Sequence, residues 1–202
     1  MIKIYGQFRS RASRCMWALE EIGVPYELVP VDTSKGDNER PEFLAINPNG
    51  RIPALVDGDL KLFESMAINL YLARKYGKDL WPADDAGQAH ALQWSFWGMT
   101  EVEPFLITLL VQQVFTPEAE RRPDRVQEAR EALVPRLKVL DGQLRSRPYL
   151  LGSKFTIADL NVASLFSLAG MVQLDLSPYP SVKKWTEGCL GRPAREKLTQ
   201  AA

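Results

Sequence analysis

Glu64 and Ser65 are adjacent residues whose side chains suit the binding of an amino acid. They stand between a strand pattern and a helix pattern. Ser65 suits the N-cap of that helix, where free backbone N–H groups and the helix dipole bind a carboxylate. The Glu64 carboxylate beside it can hold an ammonium group. The pair therefore predicts a site for the α-carboxylate and α-amino groups of one ligand. A capped helix without a ligand is the alternative interpretation.

A second candidate site is the segment Arg51-Ile52-Pro53. Because proline has no backbone N–H, Pro53 belongs at a sheet edge or in a special turn. If the Ile52–Pro53 bond is cis, the backbone of Ile52 can face outward and pair with an extended peptide. An ordinary proline in an edge strand is the alternative.

The composition argues against several other kinds of site. Lys+Arg and Asp+Glu both number 25 in the 202 residues, and 11 of each fall in residues 1–80, so neither half has the basic excess of a nucleic-acid-binding protein. The single histidine, His90, argues against a His-rich metal site and a Ser–His–Asp triad. From this charge balance and the single histidine we expect no bound nucleic acid or metal. Since no apolar stretch reaches about 18 residues, we also expect no membrane span.

The cysteine content and the N-terminus bear on the compartment. Cys15 and Cys189 are too few for a disulfide framework, which favours a reducing environment. The N-terminal segment MIKIYGQFRSRAS has no apolar signal core. We therefore expect a mature cytoplasmic protein.

The predicted elements of residues 1–80 follow the order β-α-β, a variable stretch, and β-β-α. Strands are predicted over 2–5, 26–31, 52–56 and 61–63, and helices over 12–22 and 65–76. Asp57-Gly58 predicts a hairpin between the last two strands. Gly23 and Gly77 are typical of helix ends. Residues 1–80 are thus predicted to form an α/β domain.

Beyond residue 80 the patterns become helical. Residues 81–87 are rich in Pro, Asp and Gly, which is typical of a linker. Helices are predicted over 88–115, 124–145, 156–171, 181–190 and 193–198. Thr156 and Asp159 have the spacing of a capping box. The sequence therefore predicts a separate all-helical domain over 88–202.

Motifs in both halves resemble those of the cytosolic glutathione S-transferases, in their bacterial-type members. NPNGRIPAL at 47–55 and ESMAI at 64–68 match the family patterns NPxG(K/R)(V/I)PAL and ESxAI. GSKFTIADL at 152–160 resembles the family's helix-opening motif, and the segments around Tyr179-Pro180 and Arg192-Pro193 fit its C-terminal end. The resemblance covers essentially the whole chain, and the class within the family stays open.

The resemblance implies a thioredoxin-like N-terminal domain followed by an all-α domain. It also implies a homodimeric detoxification enzyme that activates glutathione, its co-substrate, as a thiolate for attack on small, mostly apolar electrophiles. The γ-glutamyl end of glutathione would meet Glu64 and Ser65, and the backbone of Ile52, before a cis Pro53, would pair with the cysteinyl amide. Arg51 would approach the glycine carboxylate.

The electrophile would lie against apolar side chains of the long predicted helix. Five residues are plausible for this wall: Trp94, Trp97, Met99, Phe105 and Leu106. A place between helices or in a dimer interface is the alternative for each of them.

Two hydroxyl groups compete for the activation of the thiol. Ser10 follows Gly6 by the spacing of serine-type members, although that alignment needs a one-residue deletion before Ala18-Leu19-Glu20-Glu21. Tyr5 begins the segment YGQFRSRA, which resembles the YxxxRGRA pattern of tyrosine-type classes without a gap. Tyrosine in the first strand also occurs in serine-type members, so we favour Ser10 slightly over Tyr5.

Other residues near the N-terminus have lesser predicted roles. Ser13 is a third candidate hydroxyl, with helix capping as its alternative. Arg9 and Arg11 can add positive potential for the thiolate, or they are solvated surface charges. Cys15 falls on the apolar side of the helix, which indicates inert core.

Two rival functions stay open from the sequence. One is a noncatalytic interaction module of the same fold, because fold does not fix function. The other is a glutathione-dependent reductase, peroxidase, dehalogenase or isomerase, which would use the same thiol site.

Overall fold

The chain forms two compact units in a computed structural model that describes residues 1–200, with side chains described to residue 198. The first unit contains Met1–Trp81 and the chain from Arg192 onward, and the second contains Pro82–Gly191. Among the described residues no helix is long and apolar enough to cross a membrane.

The first unit is built on a four-stranded mixed sheet. Its strands are β1 (Ile2–Gly6), β2 (Tyr26–Pro30), β3 (Ala54–Asp57) and β4 (Leu60–Phe63), in the order β2-β1-β3-β4. β1 and β2 are parallel, whereas β3 pairs antiparallel with both β1 and β4. Its first three helices are α1 (Ala12–Ile22), α2 (Pro41–Leu44) and α3 (Ser65–Tyr76). This arrangement confirms the predicted thioredoxin-like domain.

The end of β1 brings the sheet close to the start of α1. A Cβ atom added at Gly6 would lie 2.5 Å from the Cβ atom of Ala12, and Gly6 has a φ of +155°. No side chain fits that approach, so a glycine is required there. The residue before it, Tyr5, packs instead against a small core cluster of Val31, Phe43 and Ala54.

The second unit is helical, as predicted. Its helices are α4 (Asp85–Trp97), α5 (Glu103–Leu110), α6 (Pro123–Leu144), α7 (Ile157–Leu165) and α8 (Pro180–Leu190). The fold class predicted from the sequence, an α/β domain plus an all-α domain, is therefore confirmed.

The helix predicted over 88–115 differs from the observed one in two ways. It begins earlier because Asp84 accepts a hydrogen bond of 2.8 Å from the backbone of Gly87, which caps α4 inside the predicted linker. It also contains two π-helical turns, Gly98–Val102 and Val111–Phe115, one on either side of α5. Similarly, the helix predicted over 156–171 is shorter, since α7 ends at Leu165 and a 3₁₀ turn follows.

The capping box at the start of α7 is present, and its carboxylate does more than cap. Asp159 is fully buried and accepts hydrogen bonds from the backbone and hydroxyl of Thr156 at 2.9 and 3.0 Å. It also accepts from Leu150 N at 2.8 Å and from Trp185 Nε1 at 2.9 Å. Burial raises the pKa of the Asp159 carboxyl, although the hydrogen bonds from these donors act to lower it. One carboxylate thus joins α7, α8 and the loop before α7.

The last helix, α9 (Pro193–Gln200), falls in the first unit, whereas the sequence assigned it to the helical domain over 88–202. It belongs to the first unit, where it contacts α1. Arg192 donates to both carboxylate oxygens of Glu21 at 2.7 and 2.8 Å, and Trp17 Nε1 donates to the same carboxylate at 2.9 Å. Periodicity identified the helix, but an amphipathic pattern does not specify the partner against which a helix packs.

Candidate active site

The segment before β3 has the cis proline that the family resemblance implied. The Ile52–Pro53 bond is cis, Pro53 is buried, and β3 pairs with β1 only from Ala54 onward. Asn47 holds the preceding turn through a side-chain bond to the carbonyl of Arg51. Arg51 itself is exposed, so its guanidinium is accessible to a ligand.

Glu64 and Ser65 lie at the start of α3, but Ser65 is not the N-cap that the sequence predicted. Glu64 is the N-cap, and its carbonyl accepts from Ile68 N at 2.9 Å, whereas Ser65 is the first helical residue. Glu64 has a φ of 71°, a region that residues other than glycine seldom adopt. Its side chain is exposed, whereas Ser65 is buried.

Arg14 is a residue of this candidate site that the sequence analysis did not predict. It is only 5 % exposed on α1, and its Nη1 atom lies 3.5 Å from the Ser65 hydroxyl. It places a buried positive charge beside the N-terminus of α3. The sequence signal for it is an arginine within the apolar run of α1. Arg9 and Arg11, which the sequence predicted instead, are both exposed.

The structure brings Ser10 and Ile52 together at the end of β1. A Cβ atom added at Gly6 would lie 3.8 Å from Ser10 Oγ and 3.7 Å from Ile52 Cβ. The Ser10 hydroxyl accepts from Ala12 N at 3.1 Å and donates to the Gln7 carbonyl at 2.7 Å. Ser10 therefore caps the backbone N–H of Ala12, which is the first residue of α1.

The other candidate hydroxyls occupy different environments. The ring of Tyr5 packs against Phe43 with centroids 6.2 Å apart. Because side chains alternate along a strand, Tyr5 lies on the opposite face of the sheet from Gly6. Ser13 donates to the Ser10 carbonyl at 2.9 Å, which is a local bond in the first turn of α1.

The remaining chemically reactive side chains have ordinary structural surroundings. Cys15 is fully buried with its sulfur 3.7 Å from the Ser65 carbonyl oxygen, and burial raises the pKa of its thiol. Cys189 is buried as well. His90 is exposed, with Nδ1 3.1 Å from Gln93 Oε1. In the part of the chain that the structure describes, no group of three or more His, Cys, Asp or Glu side chains could hold a metal ion.

The predicted wall residues of the second unit have mixed roles. Trp94 and Leu106 are buried, and Trp97 packs edge-on against Trp94 with centroids 5.0 Å apart. The guanidinium of Arg136 lies 5.2 Å from the ring centroid of Phe105. The burial of Trp94 and Leu106 fits the alternative interpretation, packing between helices.

Comparisons with known proteins agree with this architecture. The model of the glutathione S-transferase N-terminal domain matches residues 1–74, and that of the C-terminal domain matches residues 102–193. Glutathione S-transferase 3 of Zea mays is 39 % identical over 99 % of this chain and 94 % of its own length. The disulfide-bond oxidoreductase YfcG of Escherichia coli is 36 % identical over 96 % of this chain and 92 % of its own.

Solved structures are similar over the whole chain. Glutathione S-transferase-I bound with lactoylglutathione has a TM-score of 0.90 and 34 % identity, covering 100 % of this chain and 99 % of that one. A theta class enzyme from Xanthomonas axonopodis pv. citri, with glutathione bound, has a TM-score of 0.91 and 32 % identity, covering 100 % and 98 %. Both family domains and this identity over the full length establish that the chain is an enzyme of the glutathione S-transferase family.

Proposed function

We propose that this enzyme binds glutathione on its first unit and presents the thiolate to small, mostly apolar electrophiles, in a cytoplasmic detoxification role. The observation that carries the proposal is the group of Glu64, Ser65 and Arg14 at the start of α3. An α-carboxylate bound there would meet free backbone N–H groups, a hydroxyl and a buried guanidinium. The exposed carboxylate of Glu64 would take the ammonium group of the same γ-glutamyl residue.

The rest of glutathione would follow the chain from α3 toward the end of β1. The backbone of Ile52 lies outside the β1–β3 ladder, so it can pair with the cysteinyl residue. The exposed guanidinium of Arg51 can reach the glycine carboxylate. The cysteinyl sulfur would then lie near Ser10, because Ser10 Oγ and Ile52 Cβ approach the same point at Gly6.

The chemistry needs the thiolate form of glutathione. Lowering the pKa of its thiol from about 8.5 to about 6.5 requires about 2.7 kcal/mol of preferential stabilisation of the anion. The Ser10 hydroxyl can supply part of this by turning its proton from the Gln7 carbonyl to the sulfur, and the N-terminus of α1 can supply another part. The thiol proton leaves to solvent, and the sulfur forms a bond to carbon as the leaving group departs.

A second candidate reaction, glutathione-dependent reduction of disulfides, is favoured by the similarity to the Escherichia coli oxidoreductase. Here the thiolate would attack a disulfide sulfur and release one thiol, and a second glutathione would release the other while oxidised glutathione forms. Assays with a benzyl halide and with a small disulfide would separate the two reactions, because each follows a different product.

Alanine at Glu64 or at Ser65 should weaken glutathione binding by about 10–150-fold, since each removes a charge-assisted hydrogen bond of about 1.5–3 kcal/mol. Calorimetric titration with glutathione measures the affinity, and melting curves verify the fold. Glu118→Ala and Ser153→Ala, which change exposed residues of the second unit, are matched controls. Unchanged titrations in both Glu64→Ala and Ser65→Ala would reject the proposed glutathione site.

We also propose that the protein is a homodimer. On α4, Leu92 and Phe96 are 40 % and 66 % exposed, which leaves apolar surface that a two-fold contact can cover. Sedimentation equilibrium at micromolar concentration should give twice the chain mass of 22.8 kDa. A mass equal to that of one chain would contradict the homodimer.

A further inference from the structure

One carboxylate ties the β3–β4 hairpin to α3. Asp57 is the last residue of β3, and its Oδ2 atom accepts three hydrogen bonds from side chains of α3. The donors are the hydroxyl of Tyr71 at 2.6 Å, the hydroxyl of Tyr76 at 2.7 Å and Nζ of Lys75 at 2.8 Å. All four residues lie in the first unit, and together they form what we call the Asp57 cluster.

The contacts of the Asp57 cluster are charged and shielded from solvent. The side chain of Asp57 is only 11 % exposed. Partial burial acts to raise the pKa of Asp57, but the three hydrogen bonds hold it at about 2, so the carboxylate is ionised at neutral pH. Nζ of Lys75 also lies 5.3 and 4.9 Å from the ring centroids of Tyr71 and Tyr76. Hydrogen bonds to a charged acceptor are about twice as strong as neutral ones, so the cluster resists opening.

The other end of the same hairpin leads into the proposed γ-glutamyl site. The strand pairing places Asp57 at the turn of the hairpin, whereas Phe63 lies at its far end, opposite Ala54. Glu64 follows Phe63 directly and is the N-cap of α3, so one residue links the strand to the helix. The direction in which α3 leaves the hairpin therefore decides where the Glu64 carboxylate and the first N–H groups of α3 lie.

Glu64 is held in an unfavourable backbone conformation. Its φ of 71° and ψ of 113° lie outside the regions that residues other than glycine favour. Such a conformation persists only where the surrounding contacts fix it. On one side the pairing of Phe63 with Ala54 fixes the strand, and on the other side the Asp57 cluster fixes the C-terminal half of α3. Release of α3 would let Glu64 relax and would move its carboxylate.

We propose that Asp57 is a positioning residue for glutathione, because it fixes α3 so that Glu64 and Ser65 meet the γ-glutamyl group. The inference rests on the proposed function, since it concerns the same glutathione site. Packing against α1 also holds α3, but apolar packing has no preferred direction. Three hydrogen bonds to one oxygen atom are directional, so they fix the rotation of the helix. In this role Asp57 acts from the far end of the hairpin and does not touch glutathione.

Calorimetric titration with glutathione tests this role. Asp57→Asn, which has nearly the same volume, should weaken binding by about 3–30-fold, the usual range for residues that act through others. Tyr71→Phe and Tyr76→Phe each remove one donor and should give smaller losses in the same direction. Asp59→Asn changes an exposed carboxylate in the turn of the same hairpin, so it is the matched control and should leave binding unchanged. Melting curves verify that each variant is folded.

A double-mutant cycle separates positioning from a general loss of stability. If Asp57 acts through the start of α3, Asp57→Asn should cause a smaller fold-loss of affinity in Glu64→Ala than in wild type. In Arg51→Ala it should cause the full loss, because Arg51 is proposed to bind the other end of glutathione. Equal losses in all three backgrounds, or wild-type affinity in Asp57→Asn, would overturn the positioning role. Equal affinity of wild type and Glu64→Ala would instead count against the proposed function, and this inference would fall with it.

Discussion

Ser10→Ala is expected to raise the pKa of the thiol of bound glutathione and to slow turnover at neutral pH, whereas Tyr5→Phe should leave both nearly unchanged. Loss of one hydroxyl donor to a charged acceptor costs about 1.5–3 kcal/mol, or about 10–150-fold in rate. The effect should fall toward the lower end of that range. The reason is that the wild-type hydroxyl gives up its bond to the Gln7 carbonyl when it turns to the sulfur.

The two hydroxyls have different surroundings in the structure. Ser10 Oγ lies near Gly6 and Ile52, where the cysteinyl residue is proposed to bind. Tyr5 packs its ring on Phe43, on the other face of the sheet. Since the Ser10 hydroxyl also accepts from the first helical N–H of α1, we expect Ser10, and not Tyr5, to meet the sulfur atom there.

The measurement is the ultraviolet absorbance of the thiolate, titrated against pH in the presence of saturating glutathione. A raised thiol pKa means that the thiolate forms only at higher pH, so the pH–rate profile of Ser10→Ala should move in that direction too. Ser10→Thr keeps a hydroxyl and should restore most of the wild-type titration.

Helix capping needs its own control, because Ser10 also accepts from the backbone of Ala12. Melting curves of Ser10→Ala report the lost cap, typically about 1 kcal/mol. Ser13→Ala removes a comparable local bond to the Ser10 carbonyl and should change neither the thiol pKa nor the rate. A shifted titration in Tyr5→Phe with an unchanged one in Ser10→Ala would contradict this assignment and indicate a tyrosine-type enzyme.

The parts of the site that the sequence predicted are those encoded by neighbouring residues. Pro53 left a cis bond and an ordinary edge proline open, the family motif around it implied the cis bond, and Glu64-Ser65 marked the start of α3. Such features depend on the rotational preferences and donors of two or three adjacent residues. They can therefore be predicted from a single sequence.

The parts that the sequence did not predict depend on contacts between distant residues. Arg14 gains its role only because α1 packs beside the start of α3, which places it next to Ser65, 51 positions later. Likewise, α9 joins the first unit through Arg192 and Glu21, which are 171 residues apart. An arginine within an apolar run indicates that Arg14 is buried, but no periodic or local pattern identifies the partner residue in either pairing.

Asp159→Ala should destabilise the protein far more than the loss of a helix cap, by about 3–5 kcal/mol in the free energy of unfolding. From the capping box alone the expected loss is about 0.5–2 kcal/mol. The difference arises because Leu150 N and Trp185 Nε1 also donate to this carboxylate. Alanine would leave several donors without a partner in a fully buried site.

Asp159→Asn provides a graded comparison of nearly equal volume. An amide oxygen in place of Oδ1 still accepts from Leu150 N and Trp185 Nε1, but the amide nitrogen would face the N–H of Thr156. We therefore expect a loss between those of wild type and alanine, about 1–3 kcal/mol for one mismatched donor.

Asp141 supplies the matched control. It caps α8 from a neighbouring helix by accepting from Ser181 N and Val182 N at 2.8 and 3.3 Å, and it is only half-buried. Asp141→Ala should therefore cost no more than an ordinary cap, about 0.5–2 kcal/mol. Urea unfolding of wild type and the three variants measures the order of their stabilities, and glutathione titration verifies that the first unit is intact. If Asp159→Ala were no less stable than Asp141→Ala, Asp159 would be a helix cap only, and another contact would have to join α7, α8 and the preceding loop.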